Sequence, residues 1–376
     1  MSSIKTTFYP ENISVYVLKG TKILEAAARA GIIIESPCGG EGSCGKCRVE
    51  VIEGRTEPGL TEKKIIDKQD LDKGIRLACQ SEINRPSTIK VPPESRSSAQ
   101  RILIAGVKNK KEIKPSIWKK YLELDKPTLN SSSADLELIR EKIGNEFRTD
   151  IYIIRRLSKI LKESDYKITC VFSDNELIGI EKGDTTDCDY GVAFDIGTTT
   201  LVGTLLNANT GEELAVTSRM NPQVMFGDDV ISRINMAITR EDGLGKLAYS
   251  LVEEINAMVK DMAQQGKIDR KNIYKITAAG NSTMQHLLLK ISPENLGSIP
   301  FSLTVKKGID IKARKIGLDI SSDGSVYVFP SIGGFVGGDT VAVILATEVY
   351  KSKDIKLVID IGTNGEIVLG NKDRLV

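Results

Sequence analysis

Histidine is almost missing from this chain. His286 is the only one in 376 residues, and it stands directly before Leu287-Leu288-Leu289. That setting suits a packed side chain, and neither a Ser-His-Asp arrangement nor a histidine-built metal site can be assembled around it. A surplus of one charge is missing too. Lys+Arg 52 against Asp+Glu 50 leaves a formal net charge of +2, so there is no electrostatic case for nucleic acid or an anionic membrane as partner. No stretch reaches the roughly 18 apolar residues of a spanning helix. The richest, Val341 to Ala346, is far shorter and follows Asp339-Thr340. The opening Met1-Ser2-Ser3-Ile4-Lys5 lacks the apolar core of a secretory signal. The expectation is a cytoplasmic protein whose cysteines stay reduced, with no membrane and no nucleic-acid partner.

Six cysteines are present, and three fall within Cys38-Gly39-Gly40-Glu41-Gly42-Ser43-Cys44-Gly45-Lys46-Cys47. A fourth follows in Arg76-Leu77-Ala78-Cys79. The spacing C-x5-C-x2-C with a distant fourth is one residue longer in its first gap than the plant-type ferredoxin pattern. Glycines between the cysteines allow positive φ and close approach of backbone N–H groups to sulfur. Zinc usually takes two separate short-spaced pairs, so Cys38, Cys44, Cys47 and Cys79 fit a [2Fe-2S] cluster better than zinc or two disulfides. Cys170 and Cys188 are isolated and read as packing residues.

Residues 1–94 read as one small domain. Strands are expected at Ile4 to Phe8 and Ile13 to Val17, and a helix capped by Thr21 over Ile23 to Ala30. After the cysteine loop come a strand at Arg48 to Ile52, a polar helical stretch at Leu60 to Leu71 and a strand at Thr88 to Val91. Residues 95–125 look like a linker, with Ser97-Ser98, the basic run Lys108-Asn109-Lys110-Lys111 and Pro115. Arg101 to Ala105 could pair as a short strand within it. Residues 126–188 form a small α+β unit with helices at Asp135 to Phe147 and Asp150 to Leu161. In the second, Ile153, Ile154, Leu157, Ile160 and Leu161 are expected on one face. A hairpin around Ser173-Asp174-Asn175 ends the unit.

From residue 189 the character changes. Val192-Ala193-Phe194-Asp195-Ile196-Gly197-Thr198-Thr199-Thr200 is an apolar strand running into a Gly/Thr turn. The pattern returns at Leu357-Val358-Ile359-Asp360-Ile361-Gly362-Thr363-Asn364-Gly365-Glu366. Each copy places an aspartate at the end of an expected buried strand, followed by a turn whose N–H and hydroxyl groups suit phosphate oxygens. The aspartate suits Mg²⁺ or its waters. Two such turns face to face would clamp a triphosphate, with Gly197, Thr198 and Thr199 on one side and Gly362, Thr363 and Asn364 on the other. The plainer alternative is a pair of tight hairpins with structural aspartates. Ala279-Gly280-Asn281-Ser282-Thr283 and Gly333 to Thr340 add glycine-rich approaches to helices, each a possible anion site or simply close packing. Leu247 to Met262 has the spacing of a core helix.

Together, the four cysteines and the two Asp-Ile-Gly-Thr turns resemble the reductive activators of corrinoid proteins over essentially the whole chain. That resemblance implies an α/β protein in three parts. A β-grasp ferredoxin domain is followed by a small α+β middle domain, then by an RNase H-type domain of the actin and sugar-kinase superfamily. It implies a [2Fe-2S] cluster and ATP with Mg²⁺, Asp195 and Asp360 in the catalytic cleft, and a corrinoid protein as electron acceptor. It implies an unidentified low-potential electron donor, and a homodimer is compatible with it. One electron would pass from the cluster to Co(II) and restore Co(I). Plant-type clusters lie near about −400 mV and the cobalt couple is lower still, so the transfer is uphill and nucleotide must drive it. Two other functions remain open: an electron carrier with a regulatory nucleotide domain for another acceptor, and a small-molecule kinase with an accessory cluster. The second Asp-Ile-Gly-Thr copy stands close to the last residue, so the expectation is an incomplete second subdomain with exposed apolar surface and weak ATPase.

Overall fold

A computed structural model of the chain describes residues 3–32, 34–36, 38, 40–95, 113–129, 133–144, 146–361 and 365–376. The first unit is built from β1 (Ser3–Tyr9), β2 (Ile13–Leu18), β3 (Thr21–Lys22), α1 (Ile23–Arg29), β4 (Arg48–Glu53), α2 (Leu60–Ile65), α3 (Lys68–Lys73), β5 (Ile75–Leu77), β6 (Glu82–Ile83) and β7 (Ser87–Lys90). Its sheet runs β2-β1-β7-β4-β5, with β1 and β7 parallel at the centre. Alternate residues Phe8, Val49, Val51 and Ile89 turn one face inward, where Ile23, Leu24, Ala26 and Ala27 of α1 cover it. This is a β-grasp domain. Two local expectations change. Thr21 does not cap α1, because Thr21 and Lys22 pair with Ile83 and Glu82, so the helix begins after Lys22 without a side-chain cap. The polar helical stretch is two short helices, broken at Ile66, which is extended and buried.

The second unit contains β8 (Ile117–Glu123), α4 (Asp135–Ile143), β9 (Arg148–Thr149), α5 (Ile151–Glu163), β10 (Lys167–Ser173) and β11 (Glu176–Lys182). The sheet order is β8-β10-β11-β9. β8 was expected in the linker, yet it pairs with β10 along its whole length. Ile117 and Leu122 are buried, and Trp118 stacks on Phe172 with centroids 4.2 Å apart. Strand pairing and aromatic stacking outweigh the nearby basic and proline signals. On α5, Ile153, Leu157 and Leu161 are buried, but Ile154 is 41% exposed. One residue along a helix is about 100° of rotation, so Ile153 and Ile154 cannot share a narrow face. Arg101 to Ala105 lies outside the described residues.

The third unit begins with β12 (Tyr190–Ile196), β13 (Thr200–Asn207), β14 (Glu213–Met220), α6 (Val230–Thr239), α7 (Gly243–Gln265), β15 (Ile273–Gly280) and α8 (Ser282–Leu288). It continues with β16 (Ile309–Lys312), β17 (Ser325–Val328), α9 (Gly338–Thr347), β18 (Lys356–Ile361) and β19 (Gly365–Gly370). Its sheet order is β14-β13-β12-β15-β17-β16. An antiparallel meander β12-β13-β14 continues through β15 and β17, both parallel to β12 in sense. That is the RNase H-type arrangement. α7 buries Leu247, Leu251, Ile255, Met258 and Met262 against the sheet. β18 and β19 form a separate two-stranded hairpin beside α9. The second Asp-Ile-Gly-Thr copy is therefore not on a buried strand: Leu357, Ile359 and Ile361 are exposed, because among the described residues β18 has one strand neighbour. His286 is a satisfied core residue, its Nδ1 2.7 Å from the Ser282 carbonyl and its Nε2 accepting from the Thr304 N–H. No described helix is long and apolar enough to cross a membrane.

The second and third units share a polar junction. Ile117, Val171 and Ile178 pack on Tyr274, whose hydroxyl donates to Glu181 at 2.8 Å. Lys119 donates to Glu181 and to the Cys188 carbonyl, both at 2.7 Å. Asp189 is buried beside them with neither carboxylate oxygen hydrogen-bonded. Burial pushes Asp189 up from 3.8 to about 6, with Lys119 opposing and Glu181 adding to the rise. In the unfolded chain the group ionises near its ordinary value, and in the folded chain only near 6. Stability therefore falls as pH rises through that window, and the deficit persists above it. Asp189→Asn is expected to remove this slope, a relative gain on the order of 2–3 kcal/mol between about pH 4 and neutrality. Thermal unfolding of variant and wild type across that range measures it, and parallel curves would contradict the assignment.

Candidate functional site

The cysteine loop follows α1 and returns to the sheet at β4. Cys38 and Cys44 place their sulfurs 3.3 Å apart, and Cys47 and Cys79 form a second pair at 3.3 Å. None is in a disulfide. Desolvation raises the Cys38 thiol, but the Cys44, Gly42 and Ser43 N–H groups outweigh it and bring it down to about 7. In the buried pair, the hydrogen bond to Cys79 holds the Cys47 thiol high, and burial adds to the effect. The same bond draws Cys79 down. Gln80 closes the loop, its amide donating to the Gly40 carbonyl at 2.7 Å and to Cys79 sulfur at 3.5 Å. Gly42 has φ +80°, and a Cβ there would come within 2.8 Å of Thr61. Two thiol pairs, with backbone N–H groups turned to sulfur, fit a cluster of two irons with two thiolates on each.

The cleft of the third unit gathers four carboxylates. Asp195 stands near the end of β12 and Asp360 at the same place on β18, opposite Glu366. Asp339 opens α9. The Asp195 side chain still meets solvent, yet the walls around it desolvate it. That desolvation, followed by the charges of Asp339 and Asp360, pushes it up to about 6. Asp339 and Glu366 are raised as well, each by desolvation first and then by neighbouring carboxylates. Among the described residues no three carboxylates come close enough to hold a metal ion together, so this is an acidic cleft that would draw in a hydrated cation rather than a preformed ligand set. The flanking turn is firmly built. The Gly197 N–H donates to the Thr200 carbonyl at 2.9 Å, and a Cβ on Gly197 would reach 2.6 Å from that oxygen. Thr198 is buried, and its hydroxyl accepts from the Asn281 amide at 2.9 Å. Asn281 caps α8 by accepting from the Met284 N–H.

The structure therefore brings together Asp195, Asp360, Gly197, Thr198 and Thr199 in one region, and the four cysteines in another. Gly362, Thr363 and Asn364 lie outside the described residues. Sequence reasoning noted Asp339 and Asn281 without roles and passed over Glu366 as a separate group, although it stands six positions after Asp360. It missed Asn221 and Arg233 entirely. Asn221 donates to the Gly197 carbonyl at 2.8 Å from its side chain and to the Thr199 carbonyl at 2.8 Å from its backbone. Arg233 is fully buried and reaches the Thr198 carbonyl at 2.5 Å. Asn221-Pro222 carries a readable turn signal, whereas nothing around Arg233 in sequence distinguishes it from an exposed helix arginine.

Three family models match the chain. Residues 7–84 match a 2Fe-2S iron-sulfur cluster binding domain, 106–187 a RACo linker region and 190–352 a RACo middle region. The corrinoid activation enzyme RamQ of Eubacterium limosum is 32% identical over 355 residues, which cover 94% of this chain and 56% of that protein. A component of the Na(+)-translocating NADH-quinone reductase of Idiomarina loihiensis is 43% identical over 84 residues, 22% of this chain and 21% of that protein. Among solved structures, a reductive activator for corrinoid, iron-sulfur protein matches with a TM-score of 0.65 at 32% identity, covering 99% of this chain and 62% of that chain. This chain thus spans 56% and 62% of the two relatives that it matches along its length. Its N-terminal unit is a [2Fe-2S] domain, and with RACo regions over more than half of its residues the chain belongs to the reductive activators of corrinoid proteins.

Proposed function

We propose that this chain serves the ATP-dependent reductive activation of a corrinoid protein. The observation that carries the reading is one polypeptide holding both a four-thiol loop and an acidic cleft, with Asp195, Asp339, Asp360 and Glu366, beside a glycine-threonine turn. Cys38 and Cys44 would hold one iron of the cluster, and Cys47 and Cys79 the other. The [2Fe-2S] group, when bound, accepts one electron from a low-potential donor and gives one electron to Co(II), forming Co(I). The N–H groups of Gly42, Ser43 and Cys44 offset negative charge at Cys38, and Gln80 does the same at Cys79. Asp195 and Asp360, with Asp339 and Glu366 nearby, would attract Mg²⁺ through its waters. The turn Gly197-Thr198-Thr199 would flank the phosphates, and the repeat assigns the same role to Gly362, Thr363 and Asn364. In this reading residues 1–94 carry the electron, the unit from β8 to residue 188 is a docking spacer, and the unit from 189 binds nucleotide. Because the reduction is uphill, nucleotide must favour one arrangement of protein and corrinoid partner over another.

Two measurements test the reading. Full-length protein with reduced cluster is mixed with a Co(II) corrinoid protein, and the Co(I) absorbance is followed with and without MgATP. Co(I) is expected to form only with MgATP. Asp195→Asn is expected to weaken MgATP binding by at least about tenfold, or about 1.4 kcal/mol. Equal rates without nucleotide would point to an ordinary electron carrier, and a phosphorylated small molecule to a kinase. For the loop, Cys44→Ala is expected to lose iron and the visible absorbance of a [2Fe-2S] centre, while Cys188→Ser keeps both. Full iron content in Cys44→Ala would remove Cys44 from the ligand set.

A further inference from the structure

One short segment, residues 221–233, touches both the phosphate turn and the cluster domain. Towards the turn, Asn221 and Arg233 together supply the donors to the carbonyls of Gly197, Thr198 and Thr199. The rest of the Arg233 guanidinium is tied into the segment itself, donating to the Gly227 carbonyl at 2.8 Å and to Gln223 at 3.2 Å. It also rests on Met284 sulfur at 3.2 Å, so α8 is drawn into the same knot. Its charge is met by carbonyl dipoles, and a shift in any of them is felt by the others.

Towards the cluster domain, the turn Pro222–Phe226 packs on α1, the helix that precedes the cysteine loop. A cavity of about 290 Å³ separates part of this contact, bordered by Leu24, Ala28 and Ile34 on one side and by Met220, Val224 and Met225 on the other. Beside it, Asp228 faces the Ser36 backbone: desolvation raises its carboxyl and the Ser36 N–H works against that rise. Ser36 is fully buried and stands two residues before Cys38. Hydrogen bonds join the Thr198 carbonyl to Arg233 and Arg233 to Gly227, Asp228 follows Gly227 in the chain, and its carboxyl faces the Ser36 N–H.

We propose that Arg233 and Asp228 are positioning residues that carry the state of the phosphate turn to the cysteine loop, so that nucleotide bound at the turn changes the surroundings of Cys38. The inference rests on the nucleotide reading of the cleft. When phosphate draws on the outer side of the turn, its carbonyls shift against Arg233. The guanidinium is rigid, so Gly227 and Asp228 shift with it and move the Ser36 amide at the mouth of the loop.

The test separates the coupling from the nucleotide reading. Full-length, cluster-loaded protein is titrated with MgATP while calorimetry reports binding and visible circular dichroism reports the cluster surroundings. Wild type is expected to bind and to change its spectrum on saturation. Asp228 is half-buried and outside the cleft, so Asp228→Ala is expected to bind within about threefold of wild type and to lose most of the spectral change. Arg233→Lys keeps a cation but loses the fork, and is expected to bind about tenfold more weakly and lose the change at saturation. If Arg233→Lys fails to fold, Asp228→Ala decides alone. A full spectral change in Asp228→Ala, or none in wild type that binds MgATP, overturns the coupling and leaves the nucleotide site standing. Absence of MgATP binding in wild type removes the nucleotide reading and the coupling together.

Discussion

A tight glycine-threonine turn must first dispose of its own carbonyls. Buried carbonyl oxygens require donors, and leaving one unmet costs on the order of 1–3 kcal/mol. In this protein the three carbonyls of Gly197, Thr198 and Thr199 are met by Asn221 and Arg233 from the segment after β14. That one requirement explains much of the third unit. Asn221 is buried because it braces the turn from below. α6 must start close to the turn for Arg233 to reach it, and Asp229 caps α6 by accepting from the Ser232 N–H at 2.7 Å. The 222–226 turn is then fixed in place, and α1 of the cluster domain packs on it.

Both working regions also share an electrostatic design. The loop brings four thiols together, and the cleft brings four carboxylates together. Members of each set act on one another, and burial weighs on Cys47, Asp195 and Asp339. Such arrangements are costly as bare anions and favourable around cations. The backbone, rather than basic side chains, does most of the local compensation at Cys38. This leaves negative character at the loop and at the cleft, in a chain whose overall charge is nearly balanced.

Much of this was legible in sequence because both regions are local. Cys38, Cys44 and Cys47 lie within ten residues, and Asp195 reaches Thr199 in five, so spacing alone reports their geometry. The β-grasp order and the core face of α7 follow from strand alternation and helical periodicity. The failures have physical causes. β8 lay hidden behind Pro115 and a basic run because its stability comes from β10 and from Trp118 on Phe172, partners distant in sequence. Thr21 looked like a cap until Ile83 claimed it for a strand. Arg233 was invisible because an amphipathic helix reveals which face is apolar, but not that a guanidinium will turn inward to reach carbonyls 35 positions away.

The two regions make a chemical unit only if nucleotide and electron sense each other. Thermodynamic linkage makes that claim reciprocal: if bound nucleotide alters the cluster, then reducing the cluster must alter nucleotide affinity by the same factor. The most direct measurement is the MgATP dissociation constant of the full-length protein with its cluster oxidised and again with it reduced. A difference of several-fold between the two states is the expected result. Identical constants would mean that the cleft and the loop share a chain without sharing a function.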